Sequence, residues 1–425
     1  MNFAESETYL LSLGNEVSAM KLGLENIGEL LAALENPQKN YLKVQVAGTN
    51  GKGSVCVFLD AICVSASVKT GLYTSPHLIS ITERIKVNGR EISEEDFARH
   101  ATLVRETAER LVADGSLETV PTFFEQVTAI ALNFFAEQQI EIVILETGLG
   151  GRFDATTAAH SGIAGITRID YDHQNILGAT LAEIAAEKAA IIHEGSKVVI
   201  GEQEPEALEV ILARCAHFGV TPKWAQDVST TGGSGWLNIS TGQTTYRIGQ
   251  LGLAGNHQIE NAKVAILLAE TLQEYFPITP ADITKGLETA VHPGRLERRG
   301  RFLFDGAHNI GGAKALRKYL DENVHQPITM IFAAMRDKDI SEIAEILFPK
   351  VNKLILTRPE NPRSAEPQKI AEIVPQDKRN DTIVTDSVAD AVEKALTVST
   401  NNEIICITGS LYLIGEVQKL LKSQI

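Results

Sequence analysis

A glycine-rich segment near the N-terminus has the residue types that bind phosphate. It lies between a strand-like run, 41–46, and an apolar helix-like run from about 54 to 65. The segment consists of Gly48, Thr49, Asn50, Gly51, Lys52, Gly53 and Ser54. Small residues allow backbone N–H groups to face phosphate oxygens at the positive end of the following helix. In such a loop Lys52 would reach the terminal phosphates of a nucleotide, and the Ser54 hydroxyl would reach Mg²⁺.

The spacing of this segment departs from the general phosphate-loop pattern. That pattern has a glycine, four further residues, and then Gly-Lys followed directly by Ser or Thr. Here Val46 stands where the first glycine would be. In addition, Gly53 separates Lys52 from Ser54. The residues still favour nucleotide binding, and the alternative is a plain glycine turn after a strand.

Polar residues also follow two later strand-like runs, 140–145 and 163–167. Glu146 comes directly after the first run, and His173 comes shortly after the second. A carboxylate in this place suits Mg²⁺ coordination. The alternatives are a solvated edge charge for Glu146 and a structural role for His173. Because the carboxyl ends of parallel strands meet at one edge of a sheet, we expect Gly48, Glu146 and His173 to converge on one crevice.

Three further sites have polar residues that suit a nucleotide. Amides in the segment 256–261 could contact a base or ribose, and N-capping of a helix is the alternative. Arg295 follows a His-Pro-Gly turn and could bind phosphates through both arms of its guanidinium. The Asp-Gly-Ala-His-Asn segment at 305–309 could hold the nucleotide from a second domain. Lys188 lies in an alanine-rich helical stretch, where an ordinary surface lysine is the favoured interpretation.

The order of the predicted elements indicates the fold. Strand-like runs alternate with helical stretches such as 124–136 and 181–192, which is typical of an α/β domain with a mainly parallel sheet. The polar, glycine-containing stretch 225–250 predicts a small antiparallel excursion. Alternation of strands and helices restarts after the His-Pro-Gly-Arg segment. We therefore predict a phosphate-loop domain of residues 1–293 and a Rossmann-like α/β domain of residues 294–425.

Composition excludes several classes of protein. The chain has 425 residues, 44% of them hydrophobic and 22% charged, and a net charge of -15. Without a basic stripe it does not resemble a nucleic-acid binder. No apolar run reaches the roughly 20 residues of a membrane span, and the N-terminus has no basic signal region, so we expect a cytoplasmic protein. The cysteines form no CxxC pair and are expected to be buried free thiols. They are Cys56, Cys63, Cys215 and Cys406.

Taken in order, these motifs resemble the Mur ligase superfamily, and most closely its folylpolyglutamate synthases and bifunctional dihydrofolate synthases. The matching stretches are 48–54, 74–78, 122–125, 146–154, 172–173, 187–189, 257–262, 292–296, 305–309, 337–339 and 408–412. The phosphate loop of that family also reads GTNGKGS. The departures at Val46 and Gly53 therefore agree with the resemblance.

The resemblance implies a ligase that uses ATP and Mg²⁺ in folate biosynthesis and one-carbon metabolism. Such an enzyme activates a folate carboxylate as an acyl phosphate, joins it to L-glutamate and releases ADP and phosphate. The N-terminal part would then be a Mur ligase-type ATP-binding domain, and the C-terminal part a glutamate-ligase domain. We expect small-molecule partners only, with no nucleic acid and no membrane, and a monomeric protein.

The resemblance also implies roles for individual residues. Catalytic roles fall to Lys52, Glu146, His173 and Lys188. The nucleotide would be bound by the phosphate loop together with Asn261, Arg295, Asp305 and His308. Mg²⁺ would be held by Ser54, Ser75, Glu146, His173 and Lys188. For Lys188 the resemblance implies carbamylation by CO₂, which turns a cation into an anion and reverses its interpretation as a surface lysine. The folate substrate would be bound by Gly23, Leu24, Thr122, Phe124, Arg152 and Asp154, of which Phe124 and Asp154, with the loop near Gly23 and Leu24, lie at its pterin side.

Two stretches depart from the family pattern. Thr156 and Thr157 stand where Thr-Asn is usual, and the segment 21–26 does not match the bifunctional enzymes residue by residue. These departures weigh against the dihydropteroate activity more than against glutamate addition to folate. The alternatives are a Mur-type ligase of cell-wall nucleotides and a nucleotide-binding protein without ligase activity. The first would need a further domain before the phosphate loop, and about 45 residues are too few for one.

Overall fold

The structure is a computed structural model that describes residues 1–14, 23–233 and 235–422. This described part divides into two compact units. The first unit consists of Met1–Ile169, Thr180–Leu251 and Glu260–Ala290. The second unit consists of Asp170–Ala179, Gly252–Ile259 and Val291–Ile425. The second unit thus contains the whole C-terminal part of the chain together with two short segments from its N-terminal part.

The first unit is built on a mainly parallel sheet. Within the described residues its strands are β1 (Leu42–Ala47), β2 (Thr70–Tyr73), β3 (Ile85–Val87), β4 (Arg90–Glu91), β5 (Ile142–Glu146), β6 (Ile163–Ile166), β7 (Lys197–Ile200) and β8 (Lys223–Trp224). Their order across the sheet is β4-β3-β2-β5-β1-β6-β7-β8. The neighbours from β2 to β8 run parallel, and β3 and β4 pair antiparallel at one edge. Strands β2, β5, β1 and β6 therefore end side by side at the same edge of the sheet.

Helices cover this sheet. They are α1 (Phe3–Ser12), α2 (Glu25–Ala33), α3 (Lys52–Ser65), α4 (Glu94–Ala113), α5 (Phe123–Glu137), α7 (Leu181–Ala189), α8 (Pro205–His217), α9 (His257–Leu272) and α10 (Pro280–Thr289), whereas α6 (Gln174–Leu177) lies in the segment Asp170–Ala179 of the second unit. Helix α5 shows how the sequence specifies them. Thr122 and Glu125 form a capping box at its start, and its apolar residues are buried in the core with those of α1, α2 and α4.

The polar stretch after β8 forms a small antiparallel sheet. Its strands are β9 (Ser229–Gly233), β10 (Trp236–Ser240) and β11 (Thr245–Ile248). Tyr246 anchors this sheet on α9, because its buried hydroxyl donates to the Glu270 carboxylate at 2.9 Å. This sheet is the antiparallel excursion that the sequence predicts.

The second unit contains another α/β layer structure. Its strands are β12 (Glu297–Arg299), β13 (Phe302–Asp305), β14 (Ile328–Phe332), β15 (Lys353–Leu356), β16 (Thr382–Val384) and β17 (Ile404–Thr408), in the order β12-β13-β17-β14-β15-β16. All neighbours are parallel except β12 and β13. Its longer helices are α11 (Ile310–Asn323), α12 (Ile340–Leu347), α13 (Pro367–Glu372), α14 (Val388–Val398) and α15 (Leu411–Lys422).

The predicted fold class is confirmed: a mainly parallel sheet with an antiparallel excursion, followed by a second α/β sheet. The predicted state of the cysteines is also confirmed, since all four are free and buried. Within the described residues, no helix is both long enough and apolar enough to cross a membrane.

Helix α3, which follows the phosphate loop, is held in place by very close packing against α10. A Cβ atom added to Gly286 would lie 2.4 Å from both the backbone nitrogen and the Cα of Ile62. Only a residue without a side chain fits at this crossing. The position of α3, and with it the position of the loop, therefore depends on a glycine far away in the sequence.

We predict that Gly286→Ala lowers the free energy of unfolding by about 1–3 kcal/mol, because the two helices must separate to admit the methyl group. The matched control is Gly28→Ala, an exposed glycine inside α2 whose added Cβ meets nothing within 4 Å. This control should gain about 0.4–1 kcal/mol, because it lowers the entropy of the unfolded chain. Urea unfolding of both variants measures the difference, and equal stabilities would contradict the packing argument.

Candidate active site

The glycine-rich segment forms a tight loop between β1 and α3. Gly51 is the residue before the first turn of α3 and has a φ of 91°, a left-handed conformation that favours glycine. A Cβ atom on Gly51 would also lie 2.2 Å from Oδ1 of Asn261, which is buried at this point of α9. The predicted nucleotide residue Asn261 therefore lies directly against the phosphate loop within the first unit.

The end of β6 supports the first half of the loop. The backbone N–H groups of Thr49 and Asn50 both donate to the Arg168 carbonyl, at 2.9 and 3.2 Å. Thr167 donates its own N–H to the Ala47 carbonyl at 2.8 Å. The backbone groups best placed for a phosphate are thus those at the N-terminus of α3, the positive end of the helix. Sequence reasoning missed this role, although Thr167 ends the predicted strand-like run 163–167 and Arg168 directly follows it.

Two lysines converge on one backbone oxygen of the loop. Lys188 Nζ donates to the Gly48 carbonyl at 2.8 Å. Lys52 Nζ donates to the same carbonyl and to that of Thr49, both at 3.2 Å. Lys188 is only 4% exposed, so its interpretation as a surface lysine is wrong. In a protein of net charge -15 the unmodified lysine pair is a local concentration of positive charge, of the kind that attracts an anionic phosphate.

A buried carboxylate lies beside the loop. Glu146 ends β5 with 6% exposure, and its register partner is Val46 of β1. Its Oε2 accepts the N–H of Ser75, which follows β2, at 3.2 Å. Burial raises the pKa of the Cys56 thiol, and the negative charge of Glu146 raises it further. The Glu146 carboxylate is therefore close to the start of α3. The predicted convergence of Gly48 and Glu146 on one edge is therefore observed.

These residues suit a hard divalent cation. Glu146 supplies a carboxylate, and Ser54 and Ser75 supply hydroxyls; both Glu146 and Ser54 are buried. Mg²⁺ prefers oxygen ligands and often binds one or two carboxylates together with phosphates. In the described residues no three side chains of His, Cys, Asp or Glu form a metal-binding group. A cation here would therefore depend on hydroxyl and phosphate oxygens in addition to Glu146.

The segment that follows Glu146, residues 147–157, is held together by internal hydrogen bonds, and we call it the bracket. Asp154 is buried, and its carboxylate accepts the N–H groups of Leu149 at 2.8 Å and of Thr156 at 3.0 Å. Burial raises the pKa of Asp154 above its usual value. Gln45 of β1 donates to the hydroxyls of Thr156 and Thr157 at 2.9 and 2.8 Å. The Thr-Thr pair that departs from the family pattern is thus part of this hydrogen-bonded bracket.

The other predicted folate residues of the first unit occupy different places. Phe124 packs on Gly148, where an added Cβ would lie 2.5 Å from its ring, and its ring centroid lies 6.1 Å from that of Tyr73. Thr122 caps α5, and its hydroxyl donates to Glu125.

Arg152 forms an ion pair with Glu187 at 2.8 Å. Gly23 and Leu24 directly precede α2, and the start of the segment 21–26, Lys21 and Leu22, lies outside the described residues.

His173 belongs to the second unit. It lies in the segment 170–179, where the neighbouring Asp172 binds Lys338 at 2.5 Å and Asn309 at 3.2 Å. Burial raises the pKa of the Asp172 carboxyl, but the Lys338 ammonium and His308 outweigh burial and hold the pKa well below its usual range. Lys338 Nζ also lies 3.4 Å from His173 Nε2. His173 thus lies with the second unit, and its predicted convergence with Gly48 and Glu146 stays a prediction.

The remaining predicted nucleotide residues also lie in the second unit. Asp305 ends β13 and accepts the N–H groups of Leu296 at 3.0 Å and Ala307 at 3.1 Å. Burial raises the pKa of Asp305 to about 6. Arg295 donates to the Gly306 carbonyl at 3.3 Å. Burial and, to a smaller extent, the positive charge of Lys338 lower the pKa of His308 to about 4. This imidazole is therefore neutral at pH 7.

Family comparisons cover most of the chain. Residues 46–269 match the Mur ligase middle domain, and residues 294–411 match the Mur ligase, glutamate ligase domain. Bacillus subtilis dihydrofolate synthase/folylpolyglutamate synthase is 34% identical, over 95% of this chain and 96% of that protein. Saccharomyces cerevisiae dihydrofolate synthetase is 33% identical, over 96% of this chain and 99% of that protein.

Solved structures agree with these matches. Mycobacterium tuberculosis folylpolyglutamate synthase complexed with ADP has a TM-score of 0.91, 28% identity and 98% coverage of both chains. A bifunctional folylpolyglutamate synthase/dihydrofolate synthase with Mn, AMPPNP and L-glutamate bound has a TM-score of 0.86 and 27% identity, with 99% and 98% coverage. The phosphate loop, the buried Glu146 and the lysine pair thus occur in a chain that belongs to the Mur ligase family, in the group of folylpolyglutamate and dihydrofolate synthases.

Proposed function

We propose that this protein uses ATP to join L-glutamate to a folate, and that it also accepts dihydropteroate. One observation carries the proposal: Lys52 and Lys188 share the Gly48 carbonyl in a phosphate loop next to the buried Glu146 carboxylate. Two relatives that match over nearly their whole length support it: one is named for both activities, and the other for dihydrofolate synthesis.

The reaction needs activation of an unreactive acid. A carboxylate repels an attacking amine and has no good leaving group, so ATP first converts it to an acyl phosphate. Enzymes catalyse such a phosphoryl transfer mainly by positioning the groups and neutralising charge. Lys52, on the first turn of α3, is the proposed cation for the transferred phosphate. The L-glutamate amine then attacks the acyl carbon, and phosphate leaves.

The proposed Mg²⁺ ligands of the first unit are Ser54, Ser75 and Glu146, whose oxygen atoms suit this cation. His173 of the second unit is a further proposed ligand. Bound Mg²⁺ would neutralise charge on the phosphates. A carbamate on Lys188 would add an anionic oxygen ligand, which an ammonium cannot provide. The protein's own contribution is to hold these groups in position before the substrates arrive.

The remaining proposed roles concern substrate recognition. Phe124 offers an aromatic face beside Gly148 for the pterin ring, and Asp154 offers a buried carboxyl on the same bracket. Gly23, Leu24 and Thr122 are proposed to line the same substrate. Asn261, Arg295, Asp305 and His308 are proposed to contact the nucleotide. The relative solved with L-glutamate bound supports glutamate as the incoming amine.

We predict that Lys52→Ala lowers kcat by about a hundredfold or more, because an electrostatic contact to the transferred phosphate is lost. Lys197→Ala is the control, since Lys197 pairs with Glu274 on the surface. ADP release in the presence of folate and L-glutamate measures both rates. If the rate of Lys52→Ala were close to that of the control, the proposed role of Lys52 in phosphate transfer would be contradicted.

For Lys188→Ala we expect a similar loss of kcat, followed by partial recovery when formate or acetate is added, because a small carboxylate can replace the anionic ligand. Lys52→Ala serves as the control and should not recover, since its missing group is a cation. The comparison is made at several carboxylate concentrations with Mg²⁺ held constant. Wild-type rates in Lys188→Ala, unchanged by either anion, would contradict the carbamate role.

Purified protein should release phosphate from ATP only when a pteroate or folate acceptor and L-glutamate are both present. Assays with dihydropteroate and tetrahydrofolate side by side, with product masses measured, distinguish the two proposed activities. We expect one added glutamate residue on each acceptor as the first product. Phosphate release without either acceptor would indicate a plain ATPase and would overturn the proposal.

A further inference from the structure

The C-terminal end of α7, which carries Lys188, is capped by a residue of the bracket. Arg152 donates its backbone N–H to the Glu187 carbonyl at 2.9 Å. Its guanidinium donates to the Glu187 side chain at 2.8 Å and to the Ala186 carbonyl at 3.4 Å. The last carbonyls of a helix have no partner within the helix, and a cation at that end also interacts favourably with the helix dipole. Arg152 thus donates hydrogen bonds to carbonyl groups in the last turn of α7, the turn that carries Lys188.

The backbone of the bracket touches the same turn directly. A Cβ atom on Gly151 would lie 2.6 Å from the Glu187 carbonyl oxygen and 2.9 Å from that of Lys188. The two peptide segments are therefore in close contact without intervening side chains. Any shift of residues 151–152 must move the backbone of Lys188 or break these contacts.

The opposite side of the bracket is fixed to the central strand. Thr157 donates its hydroxyl to the Gly151 carbonyl at 2.7 Å and accepts from Gln45 of β1 at 2.8 Å. Two sets of contacts thus define the position of Lys188: those of β1 through this bracket, and that of the phosphate loop through the bond of Lys188 to Gly48. Arg152 connects these two sets of contacts.

We propose that Arg152 is a positioning residue for Lys188, acting through the end of α7, and does not itself bind the folate. The inference rests on the proposed function, because it assigns to Lys188 a part in the reaction. It replaces the folate contact predicted for Arg152 from the family resemblance. Its physical basis is that the guanidinium is already engaged by Glu187 and by the helix end.

The experiment compares Arg152→Gln, Arg152→Lys and Glu187→Gln in the full-length protein. Arg105→Gln is the matched control, because Arg105 also forms an ion pair with a glutamate, Glu109, at 2.7 Å and with a similar exposure. For each variant kcat, the KM for folate and the melting temperature are measured at saturating ATP and L-glutamate. Arg152→Lys keeps the positive charge at the helix end but loses the forked geometry of the guanidinium.

We expect Arg152→Gln and Glu187→Gln to lower kcat by about 10–100-fold, as is usual when a partner of an active-site group is removed. The KM for folate should stay within about twofold, since no folate contact is lost. Arg152→Lys should have an intermediate kcat, and the control should keep the wild-type value. The decrease in kcat should persist well below the melting temperature of each variant.

Two results would overturn the inference. A large increase in the KM for folate in Arg152→Gln with an unchanged kcat would show a direct substrate contact. Equal rates in Arg152→Gln and the control would show that the ion pair has no effect on Lys188. Both results require wild-type protein that ligates glutamate, so they are distinct from failure of the proposed function, in which the wild type itself shows no acceptor-dependent ligation.

Discussion

The phosphate loop depends on one backbone oxygen, the Gly48 carbonyl. Lys52 reaches it from the helix that follows the loop, and Lys188 reaches it from a helix about 140 residues later in the chain. While Lys188 is unmodified, the two ammonium groups at this carbonyl repel each other, and burying Lys188 removes much of its hydration. This arrangement therefore costs folding free energy that the surrounding structure must offset. Active sites commonly keep such a cost, because charged groups fixed in place need no reorganisation when the substrate arrives.

The offsetting interactions come from packing around the loop. Thr167 and Arg168 hold the loop backbone, Asn261 lies against Gly51, and Gly286 allows α10 to press on α3. None of these contacts involves the predicted catalytic groups. They fix the direction of α3 and thus the direction of its N-terminal amides. A rigid scaffold of parallel strands is well suited to this, since adjacent strand ends bring residues distant in sequence to the same edge.

Much of the first unit could be predicted from the sequence because its signals are local. Strand-like runs before Gly48 and Glu146 are apolar and short, and their register side by side follows from parallel pairing. Lys188 shows the limit of that reasoning. An alanine-rich helix gives no periodic sign of which face is buried, so only a long-range contact or a family resemblance distinguishes a buried lysine from a solvated one. The place of His173 was also beyond local signals, since it depends on the ion pair between Asp172 and Lys338, 166 residues apart.

The Thr156–Thr157 pair shows how a departure from a family pattern acquires a physical meaning. Its two hydroxyls accept from Gln45, and Thr157 also donates to the Gly151 carbonyl. The side chain at position 157 must therefore accept a hydrogen bond from Gln45 and donate one to the Gly151 carbonyl. An asparagine side chain also contains an acceptor and a donor, so the usual Thr-Asn and the Thr-Thr of this chain can meet the same requirement. The substitution then preserves the bracket that positions Asp154 and Arg152, and it does not by itself argue against dihydropteroate as a substrate.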